Sequence, residues 1–157
     1  MKKSFAIIVA LFITFYAFAV DSKTILYEET YINNQEGLYW EFTVPKNSEA
    51  ISIDCSTSAE FSWKMKFVLV PTKEDAIKFC EGQDCSYIKG TYTEKAQKYS
   101  ICRDDLEPGQ TYYFCAFNDT YGITAAKQYK IIPIIKSYYT EYNYRIVPGY
   151  YWFYKNE

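Results

Sequence analysis

GLYWEFTVPKNSEAISIDC, residues 37–55, sets the fold class. From Gly37 to Val44 apolar and polar residues alternate, with Leu38, Trp40, Phe42 and Val44 on one face and Tyr39, Glu41 and Thr43 on the other. Pro45-Lys46-Asn47 forms a turn, and Glu49–Cys55 resumes the alternation with Ile51, Ile53 and Cys55 inward and Ser52 and Asp54 outward. Side chains alternate across a strand, so a period of two marks a strand with one buried face in an antiparallel sheet.

Working outward, Phe61–Leu69 carries the pattern furthest, setting Phe61, Trp63, Met65, Phe67 and Leu69 against Ser62, Lys64 and Lys66. Ile51, Ile53, Trp63, Met65 and Phe67 are therefore the expected core. Further strands are expected at Thr24–Ile32, Ser86–Tyr92, Lys98–Arg103, Gln110–Phe117 and Ile123–Ile132. One short helix is expected over Thr72–Phe79, where Thr72 offers an N-cap and Glu74 and Asp75 an acidic first turn. Seven or eight strands with one apolar face each must pack on one another. The expected fold is an all-β, antiparallel two-sheet β-sandwich over residues 20–136, with a helix near 72–79.

The N-terminus reads as a targeting segment. Met1-Lys2-Lys3 precedes an apolar run from Phe5 to Phe18, and Ala17-Phe18-Ala19 supplies small residues where a signal peptidase cuts. Residues 1–19 are read as a secretory signal peptide, and the apolar run is shorter than the ~20 residues of a spanning helix. A secreted protein with no transmembrane segment in the mature chain follows. Loss of Lys2 and Lys3 makes the mature chain more acidic than the net −2 of the full sequence. That balance argues against nucleic acid as a partner.

Histidine is absent among the 157 residues. This excludes Ser-His-Asp and Cys-His catalysis and imidazole-based zinc sites. No glycine-rich phosphate loop and no Gly-x-Ser-x-Gly elbow occurs. Asp104, Asp105 and Glu107, and the pair Glu28-Glu29, are the densest acids, but their spacing fits neither a calcium loop nor a carboxylate catalytic pair. No metal, no cofactor and no enzymatic activity is expected.

Five cysteines in an oxidising compartment leave an odd one. Cys55 shares the core face with Ile51 and Ile53, Cys115 lies in a strand, and Cys80-Glu-Gly-Gln-Asp-Cys85 can close locally through Gly82. Parity turns Cys102 outward. Cys55–Cys115 and Cys80–Cys85 are favoured, leaving Cys102 free and able to join two copies covalently; the rival pairing is Cys102–Cys115. Asn118-Asp119-Thr120 is an N-glycosylation sequon placing a glycan on Asn118.

Leu106-Glu-Pro108-Gly109-Gln-Thr111-Tyr112-Tyr113-Phe114-Cys115-Ala116 resembles the E–F corner of immunoglobulin and fibronectin type III domains. Tyr113, two residues before Cys115, stands where that resemblance implies a tyrosine corner. The order Cys55, Trp63, Cys115 is similar to the immunoglobulin cysteine–tryptophan–cysteine order, although Trp63 follows Cys55 closely. Gly37–Pro45 with the later Pro-Gly-x-x-Tyr-Tyr run also resembles the bacterial pre-peptidase C-terminal sandwich. Both imply a sandwich.

The C-terminus, residues 137–157, is tyrosine-rich. Pro148-Gly149 divides it into an expected hairpin packed on the same domain, Tyr138–Val147 and Tyr150–Lys155, with Tyr150, Tyr151, Trp152 and Tyr154 as candidate binding residues. Aromatic platforms bind sugars and anchor protein interfaces. The functional expectation is a secreted, non-catalytic binding or adhesion module for a protein or glycan. Alternatives are a matrix protein associating through exposed tyrosines, and a carboxylate-based hydrolase.

Overall fold

The computed structural model describes residues 15–58, 65–94, 96–120 and 128–145, with side chains described for 20–58, 65–94, 96–120 and 128–140. Trp63, the 150–157 aromatics and the second half of the expected hairpin lie outside them. The chain falls into two units, residues 1–20 with 140–157, and residues 21–139. The first holds the opening residues of strand β1 and the end of β9; every other described element belongs to the second.

Nine strands and one helix are described: β1 (Phe15–Tyr27), β2 (Thr30–Ile32), β3 (Gly37–Thr43), β4 (Ala50–Thr57), β5 (Met65–Val70), α1 (Lys73–Cys80), β6 (Thr93–Glu94), β7 (Lys98–Arg103), β8 (Thr111–Asn118) and β9 (Tyr129–Arg145). They form two antiparallel sheets, one ordered β1-β9-β4-β7 with β2 also on β9, the other β3-β8-β5-β6. The all-β sandwich is as expected. β1 begins at Phe15, inside the segment read as a signal peptide.

Between the sheets of the second unit lies the main core. Trp40 and Phe42 of β3, Ile51, Ile53 and Cys55 of β4, Met65, Phe67 and Leu69 of β5, and Phe114 and Ala116 of β8 are all buried in it. Phe114 is its hub, with ring centroids 5.6 Å from Trp40, 5.2 Å from Tyr99 and 6.1 Å from Phe67. Four of the five expected core residues, Ile51, Ile53, Met65 and Phe67, are buried as their parity required.

The helix is capped as its sequence indicates. Thr72 Oγ1 accepts the Asp75 amide at 3.1 Å and donates to the Asp75 carboxylate at 2.6 Å. The first bond satisfies one of the amides that the first turn leaves unpaired, and the second fixes the hydroxyl that accepts it. Replacing Thr72 with alanine is expected to lower stability by about 1 kcal/mol in denaturant titration; an unchanged midpoint would show the cap is dispensable. At the other end Gly82, at φ +72°, closes the helix: Gln83 N donates to Lys78 O at 2.9 Å and Gly82 N to Phe79 O at 3.0 Å. This is a Schellman closure, and it turns residues 83–85 back along the helix. Asp75 also accepts the Ser86 amide at 3.0 Å, which holds its carboxyl below the usual range together with the Thr72 hydroxyl.

Three sequence expectations change. Ser86–Tyr92 is not a strand: Lys89-Gly90 turns, with Gly90 at φ +80°, and pairing to β5 is confined to Thr93–Glu94. The expected break between Ile132 and Tyr138 is absent, because β9 runs unbroken through Pro133. A proline lacks the ladder donor and is tolerated only where none is needed. Pro133 O accepts from Glu28 N, so the side of the residue without an N–H faces the gap between β1 and β2. The phenol closing the β7–β8 corner is that of Tyr112, not Tyr113: the Glu107 amide donates to Tyr112 Oη at 3.1 Å.

Candidate functional site

α1 lies on the outer face of the β3-β8-β5-β6 sheet and makes a second, smaller core there. Val68 and Val70 of β5, Cys115 and Phe117 of β8, and Ala76 and Phe79 of the helix are buried together. Beside it opens a cleft of about 290 Å³. Phe79 and Phe117, edge to face at 6.4 Å, form its apolar base. Tyr87 and Tyr92 line it with their rings 5.7 Å apart and tilted by 32°. Lys66, Gln83 and Asp84 supply the polar lining.

The tyrosines stand 50% and 39% exposed, yet the chain between them is anchored. Thr91, fully buried, donates from Oγ1 to Ile88 O at 2.7 Å and accepts the Leu69 amide at 3.1 Å. Ile88 N reaches Leu69 O at 2.9 Å, and Tyr99 Oη donates to Thr91 O at 2.7 Å. A loop tied to the β5 backbone thus holds two aromatic rings at the surface. Large apolar area on fixed backbone is what an interaction site requires.

Electrostatics complete the cleft. Lys66 Nζ sits 5.9 Å above the Phe117 ring and 2.8 Å from the Asp119 carboxylate. The bond to Asp119 raises the Lys66 pKa, so it stays an ammonium. Partial burial, with Glu94 nearby, raises the Tyr92 pKa and keeps its phenol a neutral hydrogen-bonding group.

The residues singled out from sequence fall elsewhere. Cys55 faces the space between the sheets, where burial pushes its thiol up to about 12, whereas Cys115 faces α1 on the other side of the β8 sheet. The structure therefore does not bring the expected pair Cys55–Cys115 together. The cause is parity: Tyr112, Phe114 and Ala116 take the interior, so Cys115 must point outward. Cys80 and Cys85 both lie by Cys115 on the helix side, and all five cysteines are thiols here. Cys102 is exposed, as parity required, which also places the rival Cys102–Cys115 pair on different sheets.

Asn118 is the asparagine of the expected glycosylation sequon. It is fully buried, and its Nδ2 donates to Asn33 O at 3.0 Å and Asn34 Oδ1 at 3.3 Å. The nitrogen a glycan would occupy is committed inside the fold, while Thr120 Oγ1 donates to Asn118 Oδ1 at 2.6 Å. Of the acids, Asp105 pairs with Arg103 and Glu29 with Lys130. Among the described residues, no three metal-ligating side chains gather, and no helix is long and apolar enough to cross a membrane. Tyr150, Tyr151, Trp152 and Tyr154 lie outside the described residues.

Sequence reasoning missed Tyr87, Tyr92 and Lys66 as site residues. A signal was present: Lys-Gly at 89–90 between two tyrosines reads as a turn presenting both. No protein-family model matches the chain, and no curated protein matches it either.

Proposed function

We propose that this protein is a secreted, non-catalytic binding module that takes a glycan in the cleft beside α1. The observation carrying this reading is the exposed Tyr87–Tyr92 pair on a Thr91-anchored loop, next to Lys66, Gln83 and Asp84. A sugar ring presents apolar C–H faces and a rim of hydroxyls. Tyrosine faces suit the former, and an amide, a carboxylate and an ammonium suit the latter. The cleft volume matches one or two sugar rings better than an extended peptide. Secretion rests on the Lys2-Lys3, Phe5–Phe18 and Ala17-Phe18-Ala19 layout. Exposed Cys102 supports covalent pairing of two copies.

The test is a glycan array followed by titration of bound oligosaccharides. Tyr87→Ala and Tyr92→Ala are each expected to weaken binding by tenfold or more, roughly the size of an aromatic hot spot, with little change in melting temperature. Binding that survives both substitutions would remove the cleft from consideration, and capture of a surface protein with no glycan would redirect the reading to a protein ligand. A second reading, association through exposed tyrosines, draws on Tyr27 and Tyr31, which are 63% and 55% exposed. Dityrosine fluorescence in native material would favour it.

A further inference from the structure

Beneath the cleft, the smaller core holds a sulfur cluster that the binding reading does not use. Cys80 is the last residue of α1, and Cys115 is fully buried in β8 between Tyr39 of β3 and Val68 of β5. Cys115 faces the helix that carries Cys80, its thiol donating to Tyr113 O at 3.8 Å, and the two sulfurs are near enough for each to perturb the other's ionisation. Their approach is enforced from the backbone. A β-carbon on Gly37 would lie 2.2 Å from Cys80 Cα and 2.6 Å from Cys80 Cβ, so only glycine lets the helix end settle this deep on β3. Cys85 returns through the Gly82 turn and packs against the same cluster, at the lining of the cleft.

We propose that Cys80 and Cys115 form a disulfide that staples the C-terminus of α1 to the central strand β8, leaving Cys85 as a thiol beside the cleft. This goes beyond the binding reading and does not depend on it. The helix end seated on Gly37 holds Cys80 beside the strand that carries Cys115, and Cys115 acts on the Cys80 thiol more strongly than any other group.

The cluster is also asymmetric in reactivity. The neighbouring Cys115 thiol lowers the Cys80 pKa, while Cys80 and burial push Cys115 up. Cys80, half-buried at the helix end, is thus the attacking thiolate, and Cys115 the thiol that resolves. The oxidant is a donor disulfide, a small-molecule or oxidoreductase R–S–S–R of the kind an oxidising compartment supplies. Cys80 thiolate attacks one donor sulfur, the S–S bond breaks, and the first RS⁻ leaves with the proton Cys80 gave up. Cys115 then loses its proton and attacks the Cys80 sulfur of the mixed disulfide. The second RS⁻ departs and takes that proton. Two protein thiols are oxidised and one donor disulfide is reduced to two thiols.

A decisive experiment is non-reducing peptide mapping of the full chain after equilibration with oxidised glutathione and alkylation of remaining thiols. The expected result is a Cys80–Cys115 cross-linked peptide with Cys85 alkylated. A Cys80–Cys85 link, or Cys80 and Cys115 both alkylated, would overturn the proposal. As a second readout, reductant should lower the melting temperature of the wild-type protein by roughly 10 °C, from the long loop the bond closes. It should do the same in Cys85→Ser and have no such effect in Cys80→Ser or Cys115→Ala. Should Cys115→Ala fail to fold, Cys80→Ser carries the comparison alone, and equal reductant sensitivity in Cys80→Ser and wild type would sink the idea.

Discussion

Phe114→Ala is expected to lower stability by about 4 kcal/mol, enough to leave much of the protein unfolded at ordinary temperature. Phe114 is fully buried at the centre of β8, and its ring is within 6.1 Å, centroid to centroid, of Trp40, Phe67 and Tyr99. These three neighbours come from β3, β5 and β7, so the ring ties both sheets together. Truncation forfeits the burial of an aromatic ring and leaves a void that four strands cannot close without moving backbone. Aromatic contacts beyond simple burial add to the loss. Denaturant unfolding of the variant measures it directly. A loss below about 1 kcal/mol would mean the sheets are held elsewhere.

Gly37→Val is expected to be comparably damaging for the opposite reason. Here nothing is removed; atoms are added where none fit. The first added carbon would already overlap Cys80 Cα and the Cys80 carbonyl oxygen, at 2.2 and 2.6 Å. Those atoms are helix backbone and cannot rotate away, so α1 must lift from β3. We expect a loss of about 3 kcal/mol, at the upper end of overpacking costs. In the reduced protein, faster reaction of the Cys80 thiol with a thiol-specific reagent should accompany it, because the cluster of Val68, Val70, Ala76, Phe79, Cys115 and Phe117 would open. Unchanged stability with an unchanged thiol rate would show that the helix does not seat on Gly37 as described.

The first effect arises on β8 and the second on β3 beside it, and β8 shows where the sequence ceases to be informative. In Gly37–Val44 and Glu49–Cys55 polar residues alternate with apolar ones, so the buried face can be read directly; Trp40, Phe42, Val44, Ile51, Ile53 and Cys55 are buried as expected. In Tyr112-Tyr113-Phe114-Cys115-Ala116-Phe117 both parities are apolar. Alternation separates the residues into two sets but cannot say which set faces the second sheet. α1 covers the other face, so both sets find burial, and a strand buried on both sides loses its period-two signature. The same holds at Phe67-Val68-Leu69-Val70, all four fully buried. The exchange of Tyr113 for Tyr112 at the corner and the separation of Cys115 from Cys55 are one error of parity seen twice.

The sequence by itself determined the fold class, the buried faces of Gly37–Val44 and Glu49–Cys55, the capped helix at Thr72 and the outward turn of Cys102, because each follows from neighbours a few residues apart. Only the tertiary structure decided the rest. It seated α1 against β3 and β8, which brought the helix end that carries Cys80 to the face that carries Cys115, 35 positions on, and turned Asn118 inward onto Asn33 and Asn34. It anchored Thr91 to Leu69, which converted an expected strand into a fixed loop bearing Tyr87 and Tyr92. These pairings join residues far apart along the chain through steric fit and buried hydrogen bonds. Local spacing carries no record of either, since any strand of the same pattern could have met a different partner.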